Sequence, residues 1–270
     1  MIPVLPSTAW REFRGQPKGL GNNRTVHLAT IEGPDGQLHR CYVKIVPNGW
    51  PTILTESIAW LLAEALDLPR PAFAAVVFVP LQKLRGCMQL DQHWLHYSEP
   101  PGFCSEAVEG KALAQTWKSH PSMNLRAALA RPEIRRISAF DEWVDNRDRH
   151  FGNVLRRSDG TCVPIDNEFI LFSTIWAHLM PTVNVAHHSL LSAATTALPA
   201  PGLLRFKVDA ALAGDRHAAA LAKVQQSLVQ TITALLGHPV IGPQLAATVC
   251  SFLQQRGEQQ WMRTHLGVIA

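Results

Sequence analysis

The sequence predicts an α+β fold of two lobes, with an antiparallel sheet in residues 1–110 and mainly helices in residues 111–270. Two strand-like segments, residues 24–31 and 38–46, flank a Gly-Pro-Asp-Gly turn signal and predict a β-hairpin. Residues 55–68 have the spacing of an amphipathic helix, and helical spacing recurs through most of the second part. These observations place the boundary between the lobes where strands give way to helices.

The remaining elements of the first part follow from apolar runs and the breaks between them. The helix at 55–68 buries one apolar face, and Pro69 and Pro71 end it. The segment at 15–23 is rich in Gly, Pro and Asn and is predicted to be a loop. Further strands are predicted at residues 9–14, 73–81 and 103–108.

The second part is predicted to be helical apart from one loop and one strand. Residues 125–144 carry a helical pattern in which Pro132 marks a start or a kink. A polar loop follows, and then a short strand at 162–165. Three amphipathic helices are predicted near the end of the chain, at residues 210–221, 224–236 and 244–253.

Composition indicates a globular protein and argues against several kinds of partner. The chain has 270 residues, of which 47% are hydrophobic and 17% charged, so it can bury a sizeable core. The net charge is +4, and no dense run of Lys and Arg is present. Direct nucleic-acid binding is therefore not expected, whereas phosphate ligands suit this charge.

Cysteine usage and hydropathy bear on the compartment. The five cysteines are widely spaced and form no Cys-x-x-Cys pair, which disfavours a disulfide framework or a zinc site. No run of 18 apolar residues occurs, and the first residues lack a basic start and a long apolar stretch. We expect a cytoplasmic protein without a membrane span.

Three polar residues have the order that phosphoryl transfer requires. Asp148 precedes Asn153, and Asp166 then closes a short apolar run. In phosphoryl transfer one carboxylate orients the attacking hydroxyl, while an amide and a second carboxylate hold the magnesium that bridges the nucleotide phosphates. A surface loop with chance polar residues is the alternative. The position between an apolar helix and a buried strand favours the functional interpretation.

The chain contains an internal control for this motif. Residues 215–217 repeat the Asp-Arg-His of residues 148–150, but Ala220 stands where an asparagine would be needed. Its flanks are rich in alanine, so this copy is predicted to lie on a helix surface. The spacing to Asn153 and Asp166, rather than the short string, therefore carries the prediction.

A lysine and a glutamate in the first part suit the same chemistry. Lys44 lies in an apolar strand, and Glu56 lies at the start of the helix that follows. Kinases use such a lysine on the α- and β-phosphates and such a glutamate to hold it. An edge-strand lysine and a helix-terminal glutamate favoured by the macrodipole are the alternative.

The Gly- and Asn-rich loop lies one strand before Lys44, where a phosphate-covering loop belongs. Glycines let backbone N–H groups approach phosphates closely. The loop is not a P-loop, because it has no Gly-Lys-Ser or Gly-Lys-Thr sequence and no helix follows. Its candidate phosphate-binding residues are Gly19, Gly21, Asn22 and Asn23.

These motifs resemble those of a known kinase group. Asp-Arg-His at 148–150, with Asn153 and Asp166 after it, resembles the catalytic and metal loops of phosphatidylinositol 3- and 4-kinases. The chain resembles the bacterial HipA-like kinases more closely, and these share that atypical kinase fold. In them the glutamate matching Glu56 precedes an apolar helix ending in Leu-Pro-x-Pro, as at residues 68–71. The resemblance covers roughly residues 12–172 and implies a two-lobed, protein-kinase-like fold.

The resemblance implies a role for each matched residue. Asp148 would be the catalytic aspartate, Asn153 and Asp166 the magnesium ligands, and His150 a brace for the loop. Lipid kinases continue with Phe-Gly after the metal-binding aspartate, whereas Asn167 follows here, which separates the chain from them.

The resemblance also implies an adenine-binding connector between the lobes. Backbone groups of Glu106 and Val108, at the predicted strand 103–108, would contact the adenine edge. An ordinary edge strand is the alternative for this segment. No serine or threonine lies between Gly15 and Arg24, so autophosphorylation of that loop is not expected.

The function implied is an ATP- and Mg²⁺-dependent kinase that phosphorylates a protein serine or threonine. Within the HipA-like group such a kinase can be the toxin of a toxin–antitoxin pair, and its partner would then be a small DNA-binding antitoxin. Two alternatives stay open. One is a lipid kinase, small-molecule kinase or nucleotidyltransferase on the same fold, and the other is a non-catalytic, ATP-binding interaction module.

Overall fold

The computed structural model describes residues 1–17, 25–47, 50–117 and 121–268, and its fold is mixed α+β. The chain divides into two compact units. The first, here called the sheet unit, comprises Ile2–Ile53 and Pro71–Val108. The second, the helical unit, comprises Leu54–Arg70 and Glu109–Ala270, together with Met1. The division into lobes at residues 1–110 and 111–270 stays a prediction.

The sheet unit is built on one six-stranded sheet. Its strand order is β1-β5-β6-β4-β3-β2, with β1 parallel to β5 and every other pair antiparallel. A short helix, α2 (Leu81–Arg85), follows β5. The strands are β1 (Val4–Leu5), β2 (Trp10–Gly15), β3 (His27–Glu32), β4 (Leu38–Ile45), β5 (Ala74–Phe78) and β6 (Pro101–Glu106).

The predicted hairpin is confirmed as β3 and β4. Its turn is closed by backbone bonds from Gly36 N–H to the Gly33 carbonyl (3.0 Å) and from Gly33 N–H to the Gln37 carbonyl (2.8 Å). Gly36 has a φ of 77°, a left-handed conformation that a side chain would strain. The turn residues therefore fix the register of the strand that carries Lys44.

Alternation along β4 separates the core from the face that carries Lys44. Cys41, Val43 and Ile45 are buried in an apolar core together with residues of β3, β5 and β6. Lys44 lies between Val43 and Ile45 in the sequence, so it points to the opposite face of the sheet, where it is half-buried. The prediction that Lys44 lies on a strand with apolar neighbours is confirmed.

A buried histidine ties β3 to the neighbouring strand β2. His27 is fully buried, and its Nε2 accepts a hydrogen bond from Trp10 Nε1 (3.0 Å). Its Nδ1 lies 3.1 Å from the carbonyl oxygen of Thr25, which fixes the neutral ring with its proton on Nδ1. Burial lowers the pKa of His27 to about 4, although the bond to Thr25 opposes this shift.

This buried histidine makes stability depend on pH. The folded state keeps His27 neutral down to about pH 4, whereas the unfolded chain protonates it near pH 6.5. The free energy of unfolding should fall by roughly 1.4 kcal/mol per pH unit for this residue as the pH drops through that window. Urea unfolding between pH 4 and 6.5 should show that the free energy of unfolding depends less steeply on pH in His27→Gln than in the wild type. A matched change at the exposed His96 should leave the slope unchanged.

The helical unit contains most of the helices and a small sheet. Its three-stranded sheet has the order β7-β8-β9, with strands β7 (Lys111–Ala112), β8 (Val154–Arg156) and β9 (Cys162–Pro164). The helix predicted at residues 55–68 is present as α1 (Thr52–Ala65). The later helices are α3 (Pro121–Leu129), α4 (Pro132–Trp143), α5 (Ala177–Leu179), α6 (Leu190–Ala197), α7 (Ala200–Gly214), α8 (His217–Leu236), α9 (Ile241–Gly257) and α10 (Gln259–Leu266).

One predicted helix boundary is confirmed and another was wrong. The pattern at residues 125–144 is two helices, and Pro132 marks the start of the second, because it occupies the first turn of α4, where its missing N–H costs nothing. The predicted break between residues 221 and 224 is absent, and α8 runs through it without interruption. The chain breaks instead at Asp215 and Arg216.

The second Asp-Arg-His string is therefore not a helix surface, as had been predicted. Asp215 and Arg216 connect α7 to α8, and His217 begins α8 as a buried residue. The ring of His217 stacks on Trp143 at 4.4 Å. No helix within the described residues is long and apolar enough to cross a membrane.

Candidate active site

The predicted catalytic loop lies between the end of α4 and the start of β8. A buried ion pair holds it, because Arg149 Nε donates to both carboxylate oxygens of Asp141 on α4 at 3.1 and 3.0 Å. Asn146 Nδ2 also donates to Asp141 (2.9 Å), and the Oδ1 of Asn146 accepts the backbone N–H of Asp148 (3.1 Å). Asp148 is thus tied through its own backbone to the end of α4.

Arg149 joins this loop to the segment that follows β9. Its Nη1 donates to the carbonyl oxygens of Asn153 (2.9 Å) and Ile165 (2.6 Å), and its Nη2 donates to Asn167 Oδ1. Arg149 is 1% exposed, so these bonds are shielded from water. One guanidinium therefore fixes the position of both loops that carry the predicted site residues.

The pairing of β8 with β9 sets Asn153 opposite Ile165, the residue before Asp166. Val154 pairs with Pro164, and the backbone N–H of Ile165 donates to the carbonyl of Asn153 at 3.0 Å. Asn153 is buried, and its Nδ2 donates to the carbonyl of Asp148 at 3.0 Å. This bond orients the Asn153 amide so that Oδ1 is the atom available to accept a bond or to bind a cation.

Asp148 is half-buried and close to other charges. Burial raises its pKa, the negative charge of Asp166 adds to that rise, and His150 and His188 oppose it. The effect of the Asp166 charge on the pKa of Asp148 indicates that the two predicted carboxylates lie in the same part of the helical unit. A cation placed between them would relieve this repulsion.

Asp166 has an unusual backbone. It follows β9 with a φ of 56°, in the left-handed region that disfavours most side chains, and it is exposed. Aspartate tolerates this conformation better than bulky residues do, but glycine tolerates it best. A strained aspartate at the end of a strand is the kind of outlier that accompanies functional sites.

Glu56 contacts the loop after Asp166. Its carboxylate is buried, and Oε2 accepts the backbone N–H of Asn167 at 3.1 Å. On the same helix, Thr55 Oγ1 donates to the carbonyl of Glu168 at 2.7 Å, and Trp176 Nε1 donates to that carbonyl at 2.9 Å. The start of α1 therefore anchors the segment that carries Asp166.

Two exposed histidines flank Asp148. The Nδ1 of His150 accepts the backbone N–H of Gly152 at 3.0 Å, which caps the short 3₁₀ turn leading to Asn153. His188 forms an isolated β-bridge with Asp148, made by hydrogen bonds to the two neighbours of Asp148. The backbone N–H of Arg149 donates to the carbonyl of His188, and the backbone N–H of His188 donates to the carbonyl of Arg147, each at 2.9 Å. The two rings lie edge to face at 6.1 Å.

The other predicted site residues belong to the sheet unit or lie outside the described residues. Lys44 is on β4, Glu106 ends β6, and Val108 is the last residue of that unit. Glu106 lies 3.8 Å from His39 and donates its backbone N–H to the Phe73 carbonyl. The loop residues Gly19, Gly21, Asn22 and Asn23 are not among those described.

Several residues of the site were missed by sequence reasoning. Arg149 belongs to the Asp-Arg-His string, but an arginine in a polar loop is normally exposed, so the sequence contains no signal of its burial. Asp141 has the pattern of one more polar position on a helix, and Arg149 lies eight residues later, beyond the end of α4. His188 lies far along the chain in a segment without a clear pattern, and no sequence signal pointed to it.

The residues present suit magnesium bound together with a nucleotide. Among residues 1–17, 25–47, 50–117 and 121–268, no cluster of three or more His, Cys, Asp or Glu side chains could hold a metal alone. Magnesium does not need such a cluster, because it takes one or two protein oxygens and completes its shell with phosphates and water. Asn153 and Asp166 offer one amide oxygen and one carboxylate, which fits that requirement.

The chemistry that these loops can perform is limited to a few classes. A half-buried carboxylate next to an amide oxygen and a second carboxylate can accept a proton and bind a hard cation. No protein-family model matches the chain, and no curated protein is similar to it. The geometry of the loops and the motifs within them are the basis of the proposal below.

Proposed function

We propose that the protein is an ATP- and Mg²⁺-dependent phosphotransferase. The observation that carries this proposal is the contact between Asn153 and Asp148, next to the strand pairing that sets Ile165, the residue before Asp166, opposite Asn153. Phosphoryl transfer needs this trio, because charge on the transferred group is stabilised mainly by positioned ligands and cations. The resemblance to the HipA-like kinases gives the same assignment.

Each residue then has one task. Asp148 accepts the proton of the attacking hydroxyl, and its raised pKa suits that role better than an ordinary carboxylate. Asn153 Oδ1 and the Asp166 carboxylate hold magnesium, which neutralises the phosphate oxygens when bound. Glu56 and Arg149 keep the Asp166 segment in place. Lys44 keeps the role predicted from the sequence, a cation for the α- and β-phosphates.

The proposed acceptor is a serine or threonine of a protein, as the resemblance implies. A toxin of a toxin–antitoxin pair, with a small DNA-binding partner, is the biological setting that the same resemblance suggests. The alternatives on the same fold are a lipid kinase, a small-molecule kinase and a nucleotidyltransferase that transfers AMP. The remaining alternative is a non-catalytic ATP-binding module. It is less favoured because the chain has a candidate residue for the catalytic carboxylate, for each magnesium ligand and for the phosphate-binding lysine.

An isotope experiment separates these possibilities. The protein is incubated with Mg²⁺ and ATP labelled either at the α- or at the γ-phosphate, with casein as a test acceptor and water as the fallback acceptor. A kinase moves only the γ-label, to casein or to free phosphate, and this depends on Mg²⁺. Transfer of the α-label would instead show nucleotidyl transfer. Binding of ATP without movement of either label would favour the non-catalytic module.

A further inference from the structure

A pocket lies in the helical unit, away from the loops described above. It holds about 290 Å³ of space where the end of α1 meets α4, α7 and the start of α8. Leu66 and Leu212 are among its apolar walls. Its polar lining consists of Arg136, Asp209, Arg216 and His217. Arg216 and His217 belong to the second Asp-Arg-His string, which has no role in the proposed phosphotransfer.

His217, one of the lining residues, has an unsatisfied polar atom. Its ring is 1% exposed and stacks on Trp143, and its Nδ1 has no hydrogen-bond partner within the part of the chain that the structure describes. Burial lowers the pKa of His217 to about 3, so the ring is neutral near pH 7 and has one N–H to donate. Buried polar groups without a partner are rare and call for a ligand or a water molecule.

Arg136 supplies the positive charge. Its Nη2 donates to the carbonyl oxygens of Leu66 (3.2 Å) and Asp67 (3.1 Å), at the end of α1. Both partners are neutral carbonyls, and no ion pair with a carboxylate is seen for Arg136 among the described residues. The guanidinium has five N–H donors, so several stay available for an anion.

The other charged groups of the lining already have ionic partners. Asp209 is paired with Arg135, and the exposed Arg216 is 3.1 Å from Asp67. Their charges are therefore compensated in large part. The groups with unused hydrogen-bonding capacity are Arg136 and His217, and both are donors toward a negatively charged atom.

We propose that this pocket binds a small organic carboxylate with a short apolar chain. The planar fork of Arg136 matches the two oxygens of a carboxylate, and the imidazole of His217 can donate to one of them. The leucine side chains of the walls receive the apolar chain, as in most small-ligand sites. The proposal does not depend on phosphotransfer, because none of these residues belongs to the catalytic loops.

Hexanoate is a suitable probe, with hexanol and hexylamine as probes of the same length and different charge. Titrations of the intact protein would follow the imidazole ¹⁵N signals of His217, identified by their loss in His217→Phe. Hexanoate should move these signals and bind at least about tenfold more tightly than hexanol or hexylamine, because only the carboxylate is charge-complementary to Arg136. Equal binding of hexanoate and hexanol, or unmoved His217 signals, would overturn the proposal.

Variants separate the site from a general effect of charge. Arg136→Gln should weaken hexanoate binding at least about tenfold and leave hexanol binding unchanged, since one charge-assisted contact is lost. Ala213→Leu fills the pocket and should abolish binding of both, with its folding checked by circular dichroism. Arg205→Gln, an exposed change on α7, should bind hexanoate as the wild type does. Wild-type affinity in both Arg136→Gln and Ala213→Leu would show that the pocket is not the site.

Discussion

Replacing Asp166 by glycine should abolish phosphotransfer and leave the fold intact. The backbone of Asp166 has a φ of 56°, which glycine adopts without steric cost. Removing the carboxylate also removes a negative charge that raises the pKa of Asp148. The free energy of unfolding should therefore stay within about 1 kcal/mol of the wild-type value. The rate of Mg²⁺-dependent phosphate release from ATP should fall at least about 100-fold, because a metal ligand is lost.

Asp67→Gly is the matched control for this experiment. Asp67 has a φ of 52° and is exposed, but it lies at the end of α1, where no role in phosphotransfer is proposed. Its replacement should leave both the rate of ATP turnover and the free energy of unfolding in urea close to the wild-type values. If Asp166→Gly kept its activity, or if both variants lost it to the same extent, Asp166 would not be a metal ligand.

Replacing Arg149 by glutamine should have the largest effect on stability. The change leaves the carboxylate of Asp141 buried without its counter-ion and removes bonds to the carbonyls of Asn153 and Ile165. Breaking a buried pair in this way costs about 3–5 kcal/mol. Urea denaturation should show this loss, and ATP turnover should fall as well because both loops lose their common anchor.

A double replacement tests the cause of that loss. Burial raises the pKa of Asp141, and the positive charge of Arg149 opposes this rise. In Arg149→Gln the carboxylate of Asp141 is left buried without a counter-ion. Asp141→Asn removes that unpaired negative charge. The double variant should be more stable than Arg149→Gln alone. Arg216→Gln, which breaks an exposed pair with Asp67, should cost less than about 1 kcal/mol. Equal losses for Arg149→Gln and Arg216→Gln would contradict a structural role for the buried pair.

Local patterns were sufficient to predict the hairpin and the first helix. The turn at Gly33 and Gly36 and the alternation along β4 are properties of neighbouring residues, and both predictions were confirmed. The break between α7 and α8 was missed because alanine favours helix throughout the segment and gives no periodic signal. Tertiary contacts set that break: Gly214 packs closely against Met262, and His217 stacks on Trp143.

The site shows the same division between local and tertiary information. The strand at 162–165 was predicted from its local pattern, whereas its partner β8 (Val154–Arg156), which sets Asn153 opposite Ile165, was not. The buried partner of Arg149 and the bond from Asn167 to Glu56 depend on residues far apart in the chain. Such contacts leave no trace in spacing or propensity, so sequence reasoning predicted candidate residues for the chemistry, while the buried pair of Arg149 with Asp141 was missed.

The most direct test of the account is ATP turnover by Asp148→Asn at saturating Mg²⁺ and ATP. Asparagine keeps the size of Asp148 and the backbone bonds from Asn153 and to Asn146, but it cannot accept the proton of the attacking hydroxyl. We predict γ-phosphate release at least about 100-fold slower than that of the wild type, with ATP affinity nearly unchanged. Turnover close to the wild-type rate, in a variant that still binds ATP, would contradict the assignment of Asp148 as the catalytic residue.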